Sequence, residues 1–312
     1  MSVEIIAPGM LSTVQDFGRF GVMKDGFPQC GVMDTRSMKI ANRLVGNSLD
    51  CAVIEMTMAG ITARFTDNYL ICLSGADMSS KINDMPIRTN KAYEIKSGDV
   101  LTCSYAKSGV RAYLAVSGGI DVPKIMSSRS TDLKSALGGL DGRKLQKGDV
   151  LETGHDNFMI PPESLDKWQV KESEYSDEIT VRAVSGPQDF MFSDEAIRKF
   201  YSSMWTVTNQ SDRMGIRLDG MPVESENGVD IISDGIVFGS VQIPKNGKPI
   251  ILMADHQTTG GYAKIATVIS TDLPLLAQAR PNSKLRFVSV SVSKAQVLAR
   301  KEKKYFDKLF FV

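Results

Sequence analysis

At 312 residues, with 37 Lys plus Arg against 36 Asp plus Glu, the chain has room for two domains or one large β-rich domain, and it carries no global field toward nucleic acid or a membrane surface. The opening Met1-Ser2-Val3-Glu4-Ile5-Ile6 lacks the basic start and apolar stretch of a secretory signal, and no apolar run reaches the roughly 18 residues of a membrane span, so a cytoplasmic protein is expected. Cys30, Cys51, Cys72 and Cys103 show no Cys-x-x-Cys spacing, and His155 and His256 stand far apart, so no protein metal site is expected.

In chain order, Thr13-Val14-Gln15-Asp16-Phe17-Gly18-Arg19 first brings an amide, a carboxylate and a guanidinium close together. Arg19 suits bidentate capture of a carboxylate or phosphate, and it equally suits a pair with Asp16 that braces the loop. Asp34 caps a predicted helix over 35–45, with Met38, Ala41, Leu44 and Val45 on one face and Gly46 at its stop. In Val53-Ile54-Glu55-Met56 a carboxylate sits inside an apolar strand. It must be paired or face a cavity, which makes Glu55 either an acid–base group with a raised pKa or the partner of an arginine. Strands over 69–73 and 101–105 carry Cys72 and Cys103 as small buried residues. Lys96-Ser97-Gly98-Asp99-Val100-Leu101 and Gln146-Lys147-Gly148-Asp149-Val150-Leu151 repeat one device, a turn glycine and an aspartate ahead of a strand. Ser127-Ser128-Arg129-Ser130-Thr131 and Gly138-Gly139-Leu140-Asp141-Gly142-Arg143 offer hydroxyls and cations suited to an oxyanion. Neither is a P-loop, and no glycine fingerprint opens a helix.

Pro161-Pro162 and the charged stretch 163–178 interrupt the pattern. The expected division is an N-terminal β domain over 1–160, a linker over 161–178 and a C-terminal β domain over 179–312. A strand over 179–184 opens the second half. Ser193 caps a second helix, with Asp194 and Glu195 in its first turn and Ile197, Phe200 and Tyr201 inward. Asn209-Gln210-Ser211-Asp212-Arg213-Met214-Gly215 repeats the Gln, Asp and Arg vocabulary of the first loop, and Ser240-Val241-Gln242-Ile243-Pro244 adds polar groups at a strand end. The apolar run 249–253 then delivers Ala254-Asp255-His256-Gln257-Thr258-Thr259-Gly260-Gly261-Tyr262. This is dense hydrogen-bonding equipment at the kind of strand end where function concentrates. Thr271 caps a third helix over 271–280, and 293–309 forms a fourth with Leu298, Tyr305 and Leu309 as its apolar stripe. Short strands separated by Gly, Pro, Asn and Asp dominate, which predicts a mainly β, barrel-like or sandwich architecture.

These stretches resemble the carboxyltransferase-like family known as allophanate hydrolase subunit 2, which takes in KipA, the C subunit of bacterial 5-oxoprolinase and the carboxyltransferase part of urea carboxylase. The resemblance runs in order through Pro8-Gly9, Thr13-Val14-Gln15-Asp16, Gly18-Arg19, Gly31-Val32-Met33-Asp34 and Ala41-Asn42-Arg43-Leu44-Val45-Gly46-Asn47. It continues through Leu73-Ser74-Gly75-Ala76, Arg111-Ala112-Tyr113-Leu114, Gly118-Gly119 and Ser128-Arg129-Ser130-Thr131. In the second half it covers Gly186-Pro187-Gln188, Ser211-Asp212-Arg213-Met214-Gly215, Gln242-Ile243-Pro244 and Gln257-Thr258-Thr259-Gly260-Gly261-Tyr262. Three positions depart from it. Ser127 and Asn282 stand where the family usually has Gly, and His256 where it usually has Arg.

The resemblance implies two cyclophilin-like β-barrel domains with a few short helices. It also implies a member of an ATP-dependent 5-oxoprolinase complex that opens 5-oxo-L-proline to L-glutamate with a KipI-like B subunit and an A subunit. ATP belongs to the assembled complex. Two other readings remain: the carboxyltransferase component of a biotin-dependent urea-type carboxylase, with biotin on a partner, and a KipA-like regulator that binds a KipI-type kinase inhibitor. The substrate is a small anion or amide. Asp255, His256 and Glu55 are the candidate catalytic residues, and Arg19, Gln15, Arg129, Ser130, Arg213, Gln242, Gln257, Thr258, Thr259 and Tyr262 the candidate substrate-binding set.

Overall fold

The computed structural model describes residues 1–154, 167–225 and 228–309. His155 and the first part of the expected linker lie outside them. The chain divides into two compact units, the first comprising Met1–Phe20, Cys30–Tyr175 and Leu309–Val312, the second Gly21–Gln29 and Ser176–Lys308.

The first unit is built on two sheets. One runs in the order Val150–Glu152, Ser2–Ala7, Thr62–Phe65, Val100–Thr102, Lys81–Ile82 and Met85–Pro86; the other in the order Leu11–Gln15, Val53–Thr57, Ser108–Val116, Tyr69–Asp77 and Ala92–Ile95. Val3, Ile5, Phe65 and Leu151 of the first sheet share a core cluster with Val14, Ile54, Ile71 and Leu114 of the second. The alternation of strand side chains sends these apolar residues to one side. The repeated Gly-Asp device builds the same corner twice. Gly98 (φ +90°) donates its N–H to the Phe65 carbonyl, and Gly148 (φ +89°) donates to Ile5. In each corner the aspartate closes its own turn by accepting the N–H three residues back, Asp99 from Lys96 at 2.8 Å and Asp149 from Gln146 at 2.7 Å. The segment after residue 167 lies against this unit. The Trp168 carbonyl accepts the Ala92 N–H at 2.9 Å, and the Val170 N–H donates to Asn90 at the same distance.

The second unit is a closed seven-stranded barrel in the order Glu178–Ser185, Lys264–Val268, Ser240–Gln242, Ile250–Leu252, Gly215–Asp219, Trp205–Val207 and Lys284–Ser289. The last and first strands close it by pairing in parallel. Buried Trp205, Phe200 and Phe287 fill one end, with the Phe200 and Phe287 rings stacked at 4.5 Å between centroids. A separate two-stranded ribbon pairs Asp230–Gly235 with Thr259–Tyr262. The protein is therefore mainly β, with one barrel and further sheets, as its sequence pattern predicts.

The helices follow their caps. In α1 (Thr35–Leu44) the Asp34 carboxylate accepts the Ser37 N–H at 2.9 Å, and in α2 (Asp194–Ser202) the Ser193 hydroxyl accepts that of Ala196 at 3.2 Å. The third helix is shorter than its pattern suggests. α3 spans only Leu273–Ala277, and its N-cap Asp272 makes no side-chain cap bond. That carboxylate is committed elsewhere, to the Arg182 backbone N–H at 2.7 Å and the Arg182 Nε at 2.8 Å. In α4 (Val292–Lys308) the buried residue is Phe306, while Tyr305 points outward, one position off the expected stripe. No helix of the described residues is long and apolar enough to cross a membrane.

Candidate functional site

In the first unit, Asp16 organises the loop over residues 128–130. Its carboxylate accepts from the Gly18 N–H (2.8 Å), the Ser128 hydroxyl (2.6 Å), the Arg129 N–H (2.6 Å) and the Ser130 hydroxyl (2.5 Å). Arg19 and Asp16 do not pair with each other; each reaches separately to this loop, Arg19 donating from Nη2 to the Ser130 carbonyl. Gln15 donates to Thr13 Oγ1 and to the Thr131 carbonyl, both at 3.1 Å. Arg19 and Gln15 are fully enclosed, whereas half-buried Arg129 pairs with Asp121. Ser127 takes φ +65° and Asn282 φ +72°. Both residues that stand in place of a family glycine therefore occupy the left-handed backbone region that favours one.

Glu55 is paired. Its Oε2 accepts the Met33 N–H at 2.8 Å, and its Oε1 lies 4.0 Å from Arg111 Nε. Burial, and then the negative charge of Glu55, push the neighbouring Tyr113 phenol well above its ordinary pKa. The strand carboxylate thus follows the arginine-partner alternative in its contacts.

The second unit holds an open cleft that gathers part of the candidate set. A cleft of about 700 Å³ is lined by Gln210, Arg217, Gln242, Lys248, Gln257 and Tyr262, among others. Strand Gly215–Asp219 forms one wall. Ile216 and Leu218 are buried in the barrel, while Gly215, Arg217 and Asp219 alternate onto the other face. Below that wall, buried Arg213 grips Asp255 through two parallel bonds, Nε to Oδ2 at 2.8 Å and Nη2 to Oδ1 at 2.7 Å. The Asp255 N–H returns a bond to the Arg213 carbonyl at 2.9 Å, and Asp212 accepts the N–H groups of Met214 and Gly215 at 2.8 and 3.1 Å. The turn that carries Met214 and Gly215 into the cleft is fixed from both sides.

Two strands away on the same face of the barrel, Gln242 Nε2 donates to the Tyr262 carbonyl at 3.3 Å. A Cβ on Gly260 would lie 2.7 Å from that Nε2 and 3.5 Å from the Gln257 Nε2, so the missing side chain leaves room for two amides to converge. Thr259 opens the ribbon strand, paired with Gly235, and Thr258 precedes it, its carbonyl accepting from Ile236. His256 is buried, and its Nδ1 lies 2.7 Å from the Gln257 carbonyl. A carbonyl only accepts, so Nδ1 carries the proton. Burial lowers the His256 pKa against the opposing pull of that bond, which favours the neutral ring at pH 7.

This gives a pH dependence. The unfolded chain takes up a proton at His256 near pH ~6.5 and the folded one only below that. The stabilisation is therefore complete above the unfolded pKa and is lost as pH falls through the folded one. Between pH 7.5 and 5.5 the urea midpoint of the wild type should fall more steeply than that of His256→Gln. Parallel slopes would refute a neutral buried ring.

The structure thus brings Gln242, Gln257 and Tyr262 to one cleft, puts Arg213 and Asp255 behind its wall, and encloses Gln15, Arg19 and Ser130 in the other unit. Sequence reasoning missed Arg217 and Lys248, which line the cleft. For Arg217 the available signal was the period-2 pattern Gly215, Arg217, Asp219. It also missed Lys264, which is buried with its Nζ 2.9 Å from Asp234. Among the described residues no group of three His, Cys, Asp or Glu side chains is placed to hold a metal ion.

The family model for the carboxyltransferase domain, subdomains A and B, matches residues 25–289. The chain belongs to that family. Among characterised relatives it is 36% identical to the C subunit of 5-oxoprolinase from Haemophilus influenzae and 38% identical to its counterpart from Escherichia coli, in each case over 98% of this chain and 97% of the relative. The Kluyveromyces lactis urea carboxylase structure superposes on 99% of the chain with a TM-score of 0.90 at 30% identity, but the match covers only 29% of that protein. The Saccharomyces cerevisiae urea amidolyase is 31% identical over 95% of this chain and 17% of its own length.

Proposed function

We propose that this chain is the C subunit of an ATP-dependent 5-oxoprolinase, working with A and B subunits to open 5-oxo-L-proline to L-glutamate. The observation that carries this reading is the end-to-end correspondence with two 5-oxoprolinase C subunits. The urea-processing relatives contain the same region only as a fraction of much longer chains. Membership of a complex supplies the KipI-like partner, and the cytoplasm is the compartment consistent with such an enzyme.

Lactam opening is hard because amide resonance leaves the carbonyl a poor electrophile. The chain's task on this reading is to bind and orient the ring while ATP supplies the driving force. Gly138 and Gly139 form no phosphate cradle. A Cβ on either would fall 2.2 Å from the Ser130 carbonyl oxygen or 1.9 Å from Thr131 Oγ1, so these glycines serve internal packing, and no nucleotide step is assigned to them. The substrate site is the cleft of the second unit, with Gln242, Gln257 and Tyr262 in contact and the Arg213–Asp255 pair positioning the turn that carries Met214 and Gly215. Both Asp255 oxygens are engaged by Arg213, which suits positioning better than proton transfer.

The test is 5-oxoproline-dependent ATP hydrolysis and glutamate release by this chain co-expressed with its candidate A and B subunits, each omitted in turn. Activity that disappears when this chain alone is omitted is the expected result. An assembled complex that instead carboxylates urea through a biotinylated partner, or that binds a KipI-like protein without turnover, would overturn the reading.

A further inference from the structure

We infer that Arg217 is the carboxylate-reading residue of the cleft, and that the amides of Gln242 and Gln257 read an amide or lactam on the same ligand; the inference rests on the cleft being the substrate site.

Asp212, Arg217, Asp219 and Lys248 are the charged side chains that line the cleft. Lys248 is committed, with its Nζ 2.7 Å from Asp219 Oδ1. Asp212 is committed too, because its Oδ1 closes the turn at Met214 and Gly215. The guanidinium of Arg217 has no ion pair and no hydrogen-bond partner among the described residues, although its backbone is fixed from both directions. Its N–H donates to Ser211 Oγ at 3.1 Å, its carbonyl accepts from Thr208 at 2.9 Å, and the residue pairs with Ile250 on the neighbouring strand. A rigid strand thus holds a free, permanently charged fork at the wall of a concave site. That arrangement suits a carboxylate, whose two oxygens match two guanidinium N–H groups.

Beyond Ile250, on the same face of the barrel and two strands from Arg217, the cleft is lined by neutral amides. One Gln242 N–H is used on the Tyr262 carbonyl, while the Gln242 Oε1 and the Gln257 amide make no bond among the described residues. A primary amide offers both a donor and an acceptor, the complement of a C=O beside an N–H. Neutral amides on the same face as a free cation, with Ile250 between them, select a small acid that also carries an amide. Such a face suits 5-oxoproline better than a phosphate-rich ligand, which would call for more positive charge.

The test uses the assembled complex with Arg217→Ala and Arg217→Lys, together with 5-oxo-L-proline and 2-pyrrolidinone, the same ring without its carboxylate. Loss of one charge-assisted, bidentate contact corresponds to a rise in KM of about 10- to 150-fold. Arg217→Ala should show that rise for 5-oxoproline with kcat little changed. Arg217→Lys should recover part of it, and calorimetric binding of 2-pyrrolidinone should not move between wild type and variant. An active complex in which Arg217→Ala leaves the KM for 5-oxoproline unchanged overturns the inference and leaves the proposed function standing. A complex inert toward 5-oxoproline overturns the function instead. Calorimetry of the full chain with N-carbamoylglycine against N-methylurea then decides the role of Arg217. A preference for the acid that vanishes in Arg217→Ala upholds the role, and no preference sinks it.

Discussion

Asp255→Ala is expected to lower the stability of the folded chain by about 3–5 kcal/mol, the cost of leaving one member of a buried ion pair without its partner. The pair is well enclosed, with 7% of the Arg213 side chain and 14% of the Asp255 side chain exposed, so solvent screening does little to soften the loss. The guanidinium cannot neutralise itself by giving up a proton. The damage should also reach the cleft, because Arg213 and Asp255 hold the turn that presents Met214 and Gly215. The urea midpoint is the readout, and the double variant Arg213→Met/Asp255→Leu should regain much of the loss by replacing two charges with packed apolar groups. An Asp255→Ala midpoint equal to the wild type would refute a structural pair.

Asp16→Ala should be the most damaging change in the first unit. One carboxylate accepts two hydroxyls and two backbone N–H groups, and removing it strands buried donors in the loop over residues 128–130. Each orphaned donor costs about 1–3 kcal/mol, and the partners relax together, so a total of about 3 kcal/mol or more is expected. Asp16→Asn keeps the shape but puts a donor where an acceptor stood, and should fall between the two. Hydrogen exchange at the Gly18 and Arg129 amides separates the cases: both should lose protection in Asp16→Ala. Retained protection would mean that the loop is held by something other than Asp16.

Much of this organisation is legible in the chain because it is local. Asp34 and Ser193 cap their helices through bonds to the third residue on, a relation visible in any short window. The twin Gly-Asp corners are equally plain, since each aspartate closes its own turn. Asp272 shows where local reading fails. The sequence offers Thr271 as the cap, yet the N-cap position falls on Asp272, whose oxygens belong to Arg182, far away in sequence, and the helix behind it shortens. Glu55 was readable only as two alternatives until Arg111 and Met33 arrived from other segments. The cleft was half visible. Its glutamines and Tyr262 sit in polar loops that draw attention, whereas Arg217 lies inside a regular strand, where an arginine on the outward face looks unremarkable. Only the meeting of several strand ends gives that residue a wall to stand on.

The closure of the barrel bears on how the protein is made. Its first strand, Glu178–Ser185, finds its parallel partner only in Lys284–Ser289, the last strand of the unit. On the ribosome the earlier strands emerge with one edge unpaired and must wait until nearly the whole second unit has been synthesised. Among the described residues the strands of the first unit's sheets end at Val150–Glu152, with only the bridge at Gln169 added later. Synthesis thus proceeds from an early-assembling half to a late-closing one. Premature termination between the first barrel strand and residue 284 leaves an open sheet edge that invites aggregation rather than a smaller working protein.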